Sequence, residues 1–377
     1  MEQLQLGILG AGMIASVDYG YLPNFGHLRH KVEVTAIADT NVDAAEQVAR
    51  KFNIPHVYDG LEQMLADAPL NAVLNLTPIP VHAQTSLAIL RAGKHLASEK
   101  PLATRLEDAT AIVELADERG LTVVCAPPHM LYPSRRQARD LVQSGAIGKV
   151  AFARVRSSHN GPAARAWPAD PTWFYQKGSG PLYDMGVYGL HEITGILGPA
   201  TRVSAFSGIT EPTRTVRGGP FDQMSIEVTA DDNTLLMLDF GESTFAFIDA
   251  TFNVSASKGP KIEVFGRAGA VNVNMDWSEI GDMPPIELFR EDSALGPAGW
   301  SAPTTHELDA ERHTVDALQQ ALVIDHLAEC VATGTAPVLS AQHARHVLEI
   351  MLKAQESART GRAMELTTSF DSRPVHE

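Results

Sequence analysis

Residues 4–15 read Leu-Gln-Leu-Gly-Ile-Leu-Gly-Ala-Gly-Met-Ile-Ala, the stretch that most restricts what this chain can become. A short apolar run ends in Gly10-Ala11-Gly12-Met13-Ile14-Ala15, which fits G-x-G-x-x-G/A. The spacing asks for a strand that stops, turns tightly and enters a helix, with room beside the backbone for a pyrophosphate. Gly10 suits the turn, Gly12 puts no Cβ in the way of phosphates, and Ala15 lets the helix lie close to the strand. The start of that helix would turn free N–H groups and a positive dipole end toward the anion. Gly10, Gly12, Met13 and Ile14 are therefore candidate cofactor-binding residues. The competing reading is a plain tight turn, so the rest of the chain has to decide.

With 377 residues, the chain is too long for one ordinary core and suits two domains. Its net charge of −15 disfavours nucleic acid and anionic membranes as partners, because both need basic patches. No window reaches the ~20 apolar residues that span a bilayer. The apolar run Leu4–Leu9 leads straight into the glycine turn, with no basic n-region before it, so a cytoplasmic protein beginning at Met1 is expected. Cys125 and Cys330 are too few for a disulfide framework and wrongly spaced for zinc; both read as buried small apolar residues. No His/Asp/Glu group has ligand spacing, so no metal is expected.

After the glycine turn, short apolar runs alternate with helical spacings. Strands are expected at Leu4–Leu9, Val32–Ala38, Val57–Tyr58, Ala72–Leu76, His95–Ser98 and Thr122–Cys125. Helices are expected at Asn41–Phe52, Leu61–Ala68, Val81–Ala92 and Leu106–Arg119. Gly93 and Gly120 stand where two of these helices should end in a left-handed residue. Near-continuous apolar strands between helices predict a doubly wound parallel sheet of the Rossmann kind over residues 1–126.

Ligands sit at the carboxyl ends of such strands. Asp39 ends the second strand, 27 positions after Gly12. That is more than the usual ~20 for the ribose-binding acid, and a lengthened loop over Gly20–His30 accounts for the excess. A carboxylate there accepts from both ribose hydroxyls and repels a 2′-phosphate, favouring NAD over NADP; the alternative is that Asp39 caps the following helix. Next come Asn75-Leu76-Thr77-Pro78-Ile79-Pro80-Val81-His82, where Thr77 and Pro78 could line the nicotinamide half and His82 would lie in the first turn of a helix.

Ala92-Gly93-Lys94-His95 and Glu99-Lys100-Pro101 complete a pattern. The glycine turn, the Thr-Pro turn with a His shortly after it, A-G-K-H and E-K-P, in this order, resemble the Gfo/Idh/MocA oxidoreductases, which include glucose–fructose oxidoreductase and inositol dehydrogenase. The resemblance implies that Lys100 faces substrate and nicotinamide, with Glu99 beside it. By the residues alone, a Glu-Lys-Pro at a strand end places a charged pair in the crevice. A cis peptide before Pro101 would fix the lysine's direction, and the plainer reading is a solvated loop lysine.

From residue 127 the pattern changes. A helix is expected at Pro133–Ser144, then strands at Val150–Arg156, Arg202–Gly208, Met224–Thr229, Thr234–Phe240, Thr244–Phe252, Lys261–Phe265 and Ala270–Val273. These predict an α+β domain over 127–377: a mostly antiparallel open sheet with helices on one face. In the resembled family the other face is often covered by another subunit, which implies a homodimer or homotetramer through this sheet. The tail reads as helices Ala310–Ala332 and Ala341–Thr360, the latter expected to pack back on the first domain, and a short strand Ala363–Leu366.

Gly178-Ser179-Gly180 leads into Pro181-Leu182-Tyr183-Asp184-Met185-Gly186-Val187-Tyr188-Gly189-Leu190-His191. At about 100° per residue, Asp184, Tyr188 and His191 share one helical face, opposite an apolar one. The stripe is either a satisfied structural network or a site. The resemblance implies a site: Asp184 matches the family's Asp, and Tyr188 stands where one branch has His and the other Tyr. The loop before it contains His159, Asn160, Arg165, Trp167, Trp173 and Tyr175. Aromatic faces with polar donors suit a sugar ring, making His159, Trp167, Trp173 and Tyr188 candidate substrate contacts; the alternative is an ordered loop with Trp173-Phe174 in the core. Pro127–Tyr132 departs from the family, which often carries an Arg here.

The expected chemistry is hydride transfer between a carbinol carbon and nicotinamide. Free Lys and Tyr titrate near ~10, so a base at neutral pH needs help from desolvation or from the positive nicotinamide. Lys100 and Tyr188 are the joint acid/base candidates, Asp184 the orienting acceptor and His191 the reserve. The resemblance suggests a pyranose, glycoside or inositol as substrate. Two other readings stay open: an NAD-dependent redox-assisted glycosidase, and a non-catalytic NAD-binding regulator that responds to sugar.

Overall fold

The computed structural model describes residues 3–274, 284–291, 298–303 and 318–372. They form two compact units. The first contains the described residues up to Pro133 and those from 318 to 348; the second contains those from Ser134 to 303 and from Glu349 to Ser372.

The first unit is built on six strands: β1 (Leu4–Leu9), β2 (Val32–Ala38), β3 (His56–Tyr58), β4 (Ala72–Asn75), β5 (His95–Ser98) and β6 (Val123–Cys125). Every pairing is parallel and the spatial order is β3-β2-β1-β4-β5-β6. The expected strands and helices appear with ends shifted by a residue or two. Leu6, Ile8, Ile37, Val73, Leu74, Leu96 and Val124 are fully enclosed, as strands covered on both faces must be. Asn41 caps α2 (Val42–Phe52), its side chain accepting the Ala44 amide at 3.1 Å. Gly120 ends the helix Leu106–Arg119 with φ +62°, the left-handed conformation that suits a residue without Cβ.

The loop over Gly20–His30 is not a plain excursion. Leu22–Leu28 winds into a 3-10 helix, and Tyr21, Leu22, Phe25 and Leu28 are buried. Helix Leu322–Thr333, counted with the second domain by sequence, packs against β5 and β6 of this unit. Lys31 meets Asp325 at 2.6 Å, and the Cys125 amide donates to the Leu339 carbonyl at 3.0 Å. The expected earlier part of this helix, 310–317, lies outside the described residues. Cys125 and Cys330 are free and buried. Burial pushes the Cys330 thiol up to about 12 and that of Cys125 higher still.

The second unit holds a nine-stranded sheet. Its strands are β7 (Val150–Arg156), β8 (Arg202–Gly208), β11 (Asn233–Asp239), β12 (Phe245–Thr251), β13 (Ile262–Gly266), β14 (Gly269–Val273), β15 (Ile286–Arg290), β16 (Gly299–Ser301) and β17 (Met364–Glu365). The order is β16-β15-β14-β13-β7-β12-β11-β8-β17, antiparallel except for the parallel neighbours β7 and β12. Between β8 and β11 the chain forms a separate ribbon of β9 (Thr213–Thr215) and β10 (Ser225–Glu227). The Met224–Thr229 segment therefore leaves the main sheet.

Alternation sorts the sheet residues by face. Val203, Ala205, Leu236, Leu238, Ile248, Val155, Val264 and Val271 are buried. On this face helix Val187–Leu197 packs against β7 and β12. Glu192 of that helix is enclosed and meets Arg135 Nε and Lys261 Nζ, each at 3.0 Å. The same alternation brings Phe206, Leu235, Met237, Phe245, Phe247, Phe152 and Trp300 to the opposite, exposed face. Near the C-terminus, Glu349 accepts the amides and hydroxyls of Thr367 and Thr368 at 2.6–2.9 Å, counting the shortest contact of each group.

Candidate active site

In a parallel sheet every carboxyl end lies on one edge, and most of the cofactor-site candidates fall there. Gly10 follows β1, Asp39 follows β2, Thr77 lies two residues beyond β4, and Glu99-Lys100 follows β5. Gly10 adopts φ +108°, and a Cβ there would come within 2.8 Å of the Leu76 carbonyl oxygen. Gly12 is the converse: a Cβ would meet nothing within 4 Å. That open space is what a phosphate beside the backbone needs, so the residues fit a dinucleotide. The helix after Gly12 is a single turn, Met13–Ser16. The dipole expected from a full helix is therefore small, and the Gly10 amide at the head of the loop already donates to the Ala38 carbonyl at 2.8 Å.

Asp39 is bound to the glycine loop. Its Oδ2 accepts the Ala11 amide at 2.7 Å, and its Oδ1 accepts the Asn41 amide at 2.8 Å. The capping role belongs to Asn41, which leaves Asp39 to the turn. Thr77 is fixed by Asn75, whose Oδ1 accepts the Thr77 hydroxyl at 2.7 Å. Asn75 is itself enclosed and donates to Thr85 Oγ1 at 2.8 Å.

His82 is only 1% exposed. Its Nε2 stands 2.7 Å from the Thr77 carbonyl oxygen and its Nδ1 2.8 Å from that of Pro101. The ring is used inside the fold, tying the Thr77–Pro78 turn to the Lys100–Pro101 turn, and is not presented to a ligand. The Lys100–Pro101 peptide is cis. Glu99 is anchored: its Oε1 accepts the Tyr21 hydroxyl at 2.8 Å and its Oε2 the Lys100 amide at 3.1 Å. Sequence reasoning missed Tyr21, because nothing local distinguishes it from a loop aromatic.

In the second unit, Leu182–Gly186 is a π turn that runs into helix Val187–Leu197. The wider turn changes the angular step at Asp184, ahead of the ordinary helix that carries Tyr188 and His191. Asp184 and Tyr188 are half-buried, whereas His191 is enclosed with Nδ1 2.8 Å from the Val187 carbonyl oxygen. Ser157 holds this corner: its hydroxyl donates to the Met185 carbonyl and accepts the Gly189 amide at 3.1 Å.

The loop before the π turn brings His159 to Asp184, with Nε2 3.9 Å from Oδ2. Tyr175 belongs to the core, packed among Ala163, Val216, Ile226, Val228 and Phe252, and its hydroxyl oxygen accepts the Ala163 amide at 3.0 Å. Phe174 packs against this cluster. Trp167 meets Phe174 edge-on at 5.6 Å between ring centroids, while Trp173 leans on the same ring and stays 48% exposed. The loop therefore divides: Phe174 and Tyr175 pack inward, and Trp173 faces outward. Among the described residues no three His, Cys, Asp or Glu side chains group as a metal site, and no helix is long and apolar enough to cross a membrane.

A parallel sheet of this order, with an open glycine loop and an acid after β2, defines a dinucleotide-binding domain of the Rossmann class. Comparison with known proteins agrees. Residues 4–126 match the profile described as "Oxidoreductase family, NAD-binding Rossmann fold", and residues 135–272 match the "GFO/IDH/MocA C-terminal domain". The chain belongs to the Gfo/Idh/MocA family. It is 26% identical to levoglucosan dehydrogenase of Pseudarthrobacter phenanthrenivorans over 73% of this chain and 75% of that protein. It is 23% identical to the NAD(+)-dependent scyllo-inositol 2-dehydrogenase of Bacillus subtilis over 97% of each. The crystal structure of an NAD binding oxidoreductase from Klebsiella pneumoniae superposes with a TM-score of 0.83 at 19% identity, covering 98% of this chain and all of that one.

Proposed function

We propose that the protein is an NAD-dependent dehydrogenase acting on a hydroxyl carbon of a cyclic polyol or sugar. The observation that carries this reading is the single edge of the first sheet, where the glycine loop, Asp39, Thr77 and Lys100 stand at successive strand ends. Relatives named for levoglucosan and scyllo-inositol support the substrate class.

Gly10, Gly12, Met13 and Ile14 hold the pyrophosphate, Asp39 the adenosine ribose, and Thr77 and Pro78 the nicotinamide half. Bound NAD supplies the hydride acceptor. Lys100 and Tyr188 share the hydroxyl proton, Asp184 orients the substrate, and His159, Trp167 and Trp173 contact it. His191 stays the reserve, behind the π turn. Reduction of the ketone reverses these transfers.

The exposed face of the second sheet supports a homo-oligomer. Phe206 is 83% exposed, Met237 and Trp300 53% each. By register Leu235 lies opposite Phe206, Met237 opposite Phe247, and Phe245 opposite Phe152. Exposed apolar side chains gathered on one sheet face, with Arg154 and Asp249 among them, are what a second copy of the chain would cover.

The test is a panel of sugars, inositols and glycosides offered with NAD and with NADP, read at the near-ultraviolet band of reduced nicotinamide. Turnover with NAD on a cyclic polyol is the expected result. Binding of NAD without turnover across the panel would overturn the dehydrogenase reading.

A further inference from the structure

The loop after β7 presents one donor in a fixed orientation. The backbone of His159 is held on both sides, its amide donating to the Thr251 carbonyl at 3.2 Å and its carbonyl accepting the Val254 amide at 3.3 Å. Its ring stacks on Phe252 at 5.2 Å with an interplanar angle of 27°. Its Nδ1 accepts the Gly161 amide at 2.7 Å. A ring nitrogen that accepts an N–H carries no hydrogen, so in the neutral ring the proton sits on Nε2. Burial, the largest influence, holds the imidazole below its ordinary value; the Asp184 carboxylate opposes this and Arg165 adds to it.

Nε2 faces Asp184 Oδ2 across 3.9 Å, and the two side chains keep 22% and 18% exposure. That gap is too long for a direct hydrogen bond. An oxygen at about 2.8 Å from each atom closes it. Such an oxygen must accept from Nε2–H and donate to a carboxylate at once. A hydroxyl does both, as does the water that it would displace. A carbonyl or ether oxygen cannot donate, and an ammonium cannot accept.

We propose that His159 and Asp184 together read one hydroxyl of the substrate, other than the hydroxyl that is oxidised. The inference rests on the sugar or polyol reading above and deepens it. His159 donates, Asp184 accepts, the Gly161 amide fixes the tautomer that makes the donation possible, and stacking on Phe252 holds the ring plane. The pair is a specificity device, since a site built to bond a hydroxyl discriminates strongly against an analogue lacking it.

Two measurements test it. In the first, ¹⁵N resonances of the histidine rings of the full-length protein at pH 7, assigned with a His159→Gln variant, report the tautomer without any substrate. Neutral His159 with its proton on Nε2 is expected; a proton on Nδ1 or a doubly protonated ring overturns the proposal, whatever the fate of the dehydrogenase reading. The second uses the best substrate of the panel and its monodeoxy analogues. One analogue should lose about 100-fold in kcat/KM against wild type. With His159→Phe, which keeps the stacking on Phe252, the full substrate should suffer a similar loss while that analogue's penalty shrinks to a few-fold. His159→Gln, which offers an amide donor in place of Nε2–H, should recover much of the loss. A deoxy penalty left intact in His159→Phe overturns the assignment while leaving the dehydrogenase reading in place.

Discussion

The Tyr21 hydroxyl donates to the Glu99 carboxylate at 2.8 Å. Seventy-eight residues separate the two. The contact joins the 3-10 loop after the glycine turn to the residue that precedes Lys100, and the other oxygen of Glu99 takes the Lys100 amide. On the proposed assignment of Lys100, Tyr21 serves as its positioning residue through Glu99. Tyr21→Phe removes one charge-assisted bond, worth ~1.5–3 kcal/mol. The expected outcome is a kcat lowered by about tenfold or more with the Kd for NAD nearly unchanged. Equal losses in kcat and NAD affinity would contradict the role.

Lys100 itself is assigned to proton transfer. Lys100→Met should abolish turnover while NAD still binds, as measured by fluorescence titration or calorimetry. An active Lys100→Met enzyme would end the scheme.

Asp39 already faces the pyrophosphate turn through the Ala11 amide. Asp39→Ala should weaken NAD by about tenfold to 100-fold, the loss of hydrogen bonds to a charged group at ~1.5–3 kcal/mol, and should bring the affinities for NAD and NADP closer together. Wild-type protein that binds the two with equal affinity would refute the ribose assignment.

Phe206 and Met237 lie on adjacent strands of the exposed sheet face. Phe206→Glu with Met237→Lys should lower the sedimentation mass of the native assembly toward that of one chain and leave far-ultraviolet dichroism intact. A wild-type protein that sediments as one chain at all concentrations would argue against the interface.

Glu349 carries a pH signature. Burial pushes its carboxyl up, but the hydrogen bonds from Thr368 and Thr367 outweigh this and hold it below the ordinary value of 4.5. A depressed carboxylate stabilises the fold above its unfolded value and loses that contribution as pH falls through the folded value. Glu349→Gln should therefore lower Tm at pH 7, and the gap to wild type should begin to close below pH 4.5. A gap that stays constant from pH 7 to pH 3 would show that the charge is not what matters.

Much of the first unit could be read from the chain because its strands are short, largely apolar runs that alternate with helical spacings. Leu4–Leu9, Val32–Ala38 and His95–Ser98 fall at the expected residues. Their carboxyl ends then fix where Gly10, Asp39 and Lys100 must stand. What escaped depends on distant partners or on a changed helical step. Tyr21 is meaningful only because Glu99 folds beside it, and the role of His82, placed by sequence in the first turn of a helix, depends on two distant carbonyls that enclose its ring. The π turn over Leu182–Gly186 departs from the ordinary α-helical step, and on the α-helix that follows it His191 is enclosed by the surrounding core while Tyr188, like Asp184 before it, is half-buried. Ser225–Glu227 shows the alternation of a sheet strand, yet it pairs with Thr213–Thr215, a segment without a strand signal of its own.

The placement of Leu322–Thr333 against β5 and β6 has a practical consequence for anyone who would cut or shuffle the gene. A fragment stopping at Ala126 would leave those two strands without the helix that covers them and Lys31 without Asp325. A cofactor-binding half exchanged between relatives must carry this downstream helix with it, spliced in from about 200 residues beyond β6.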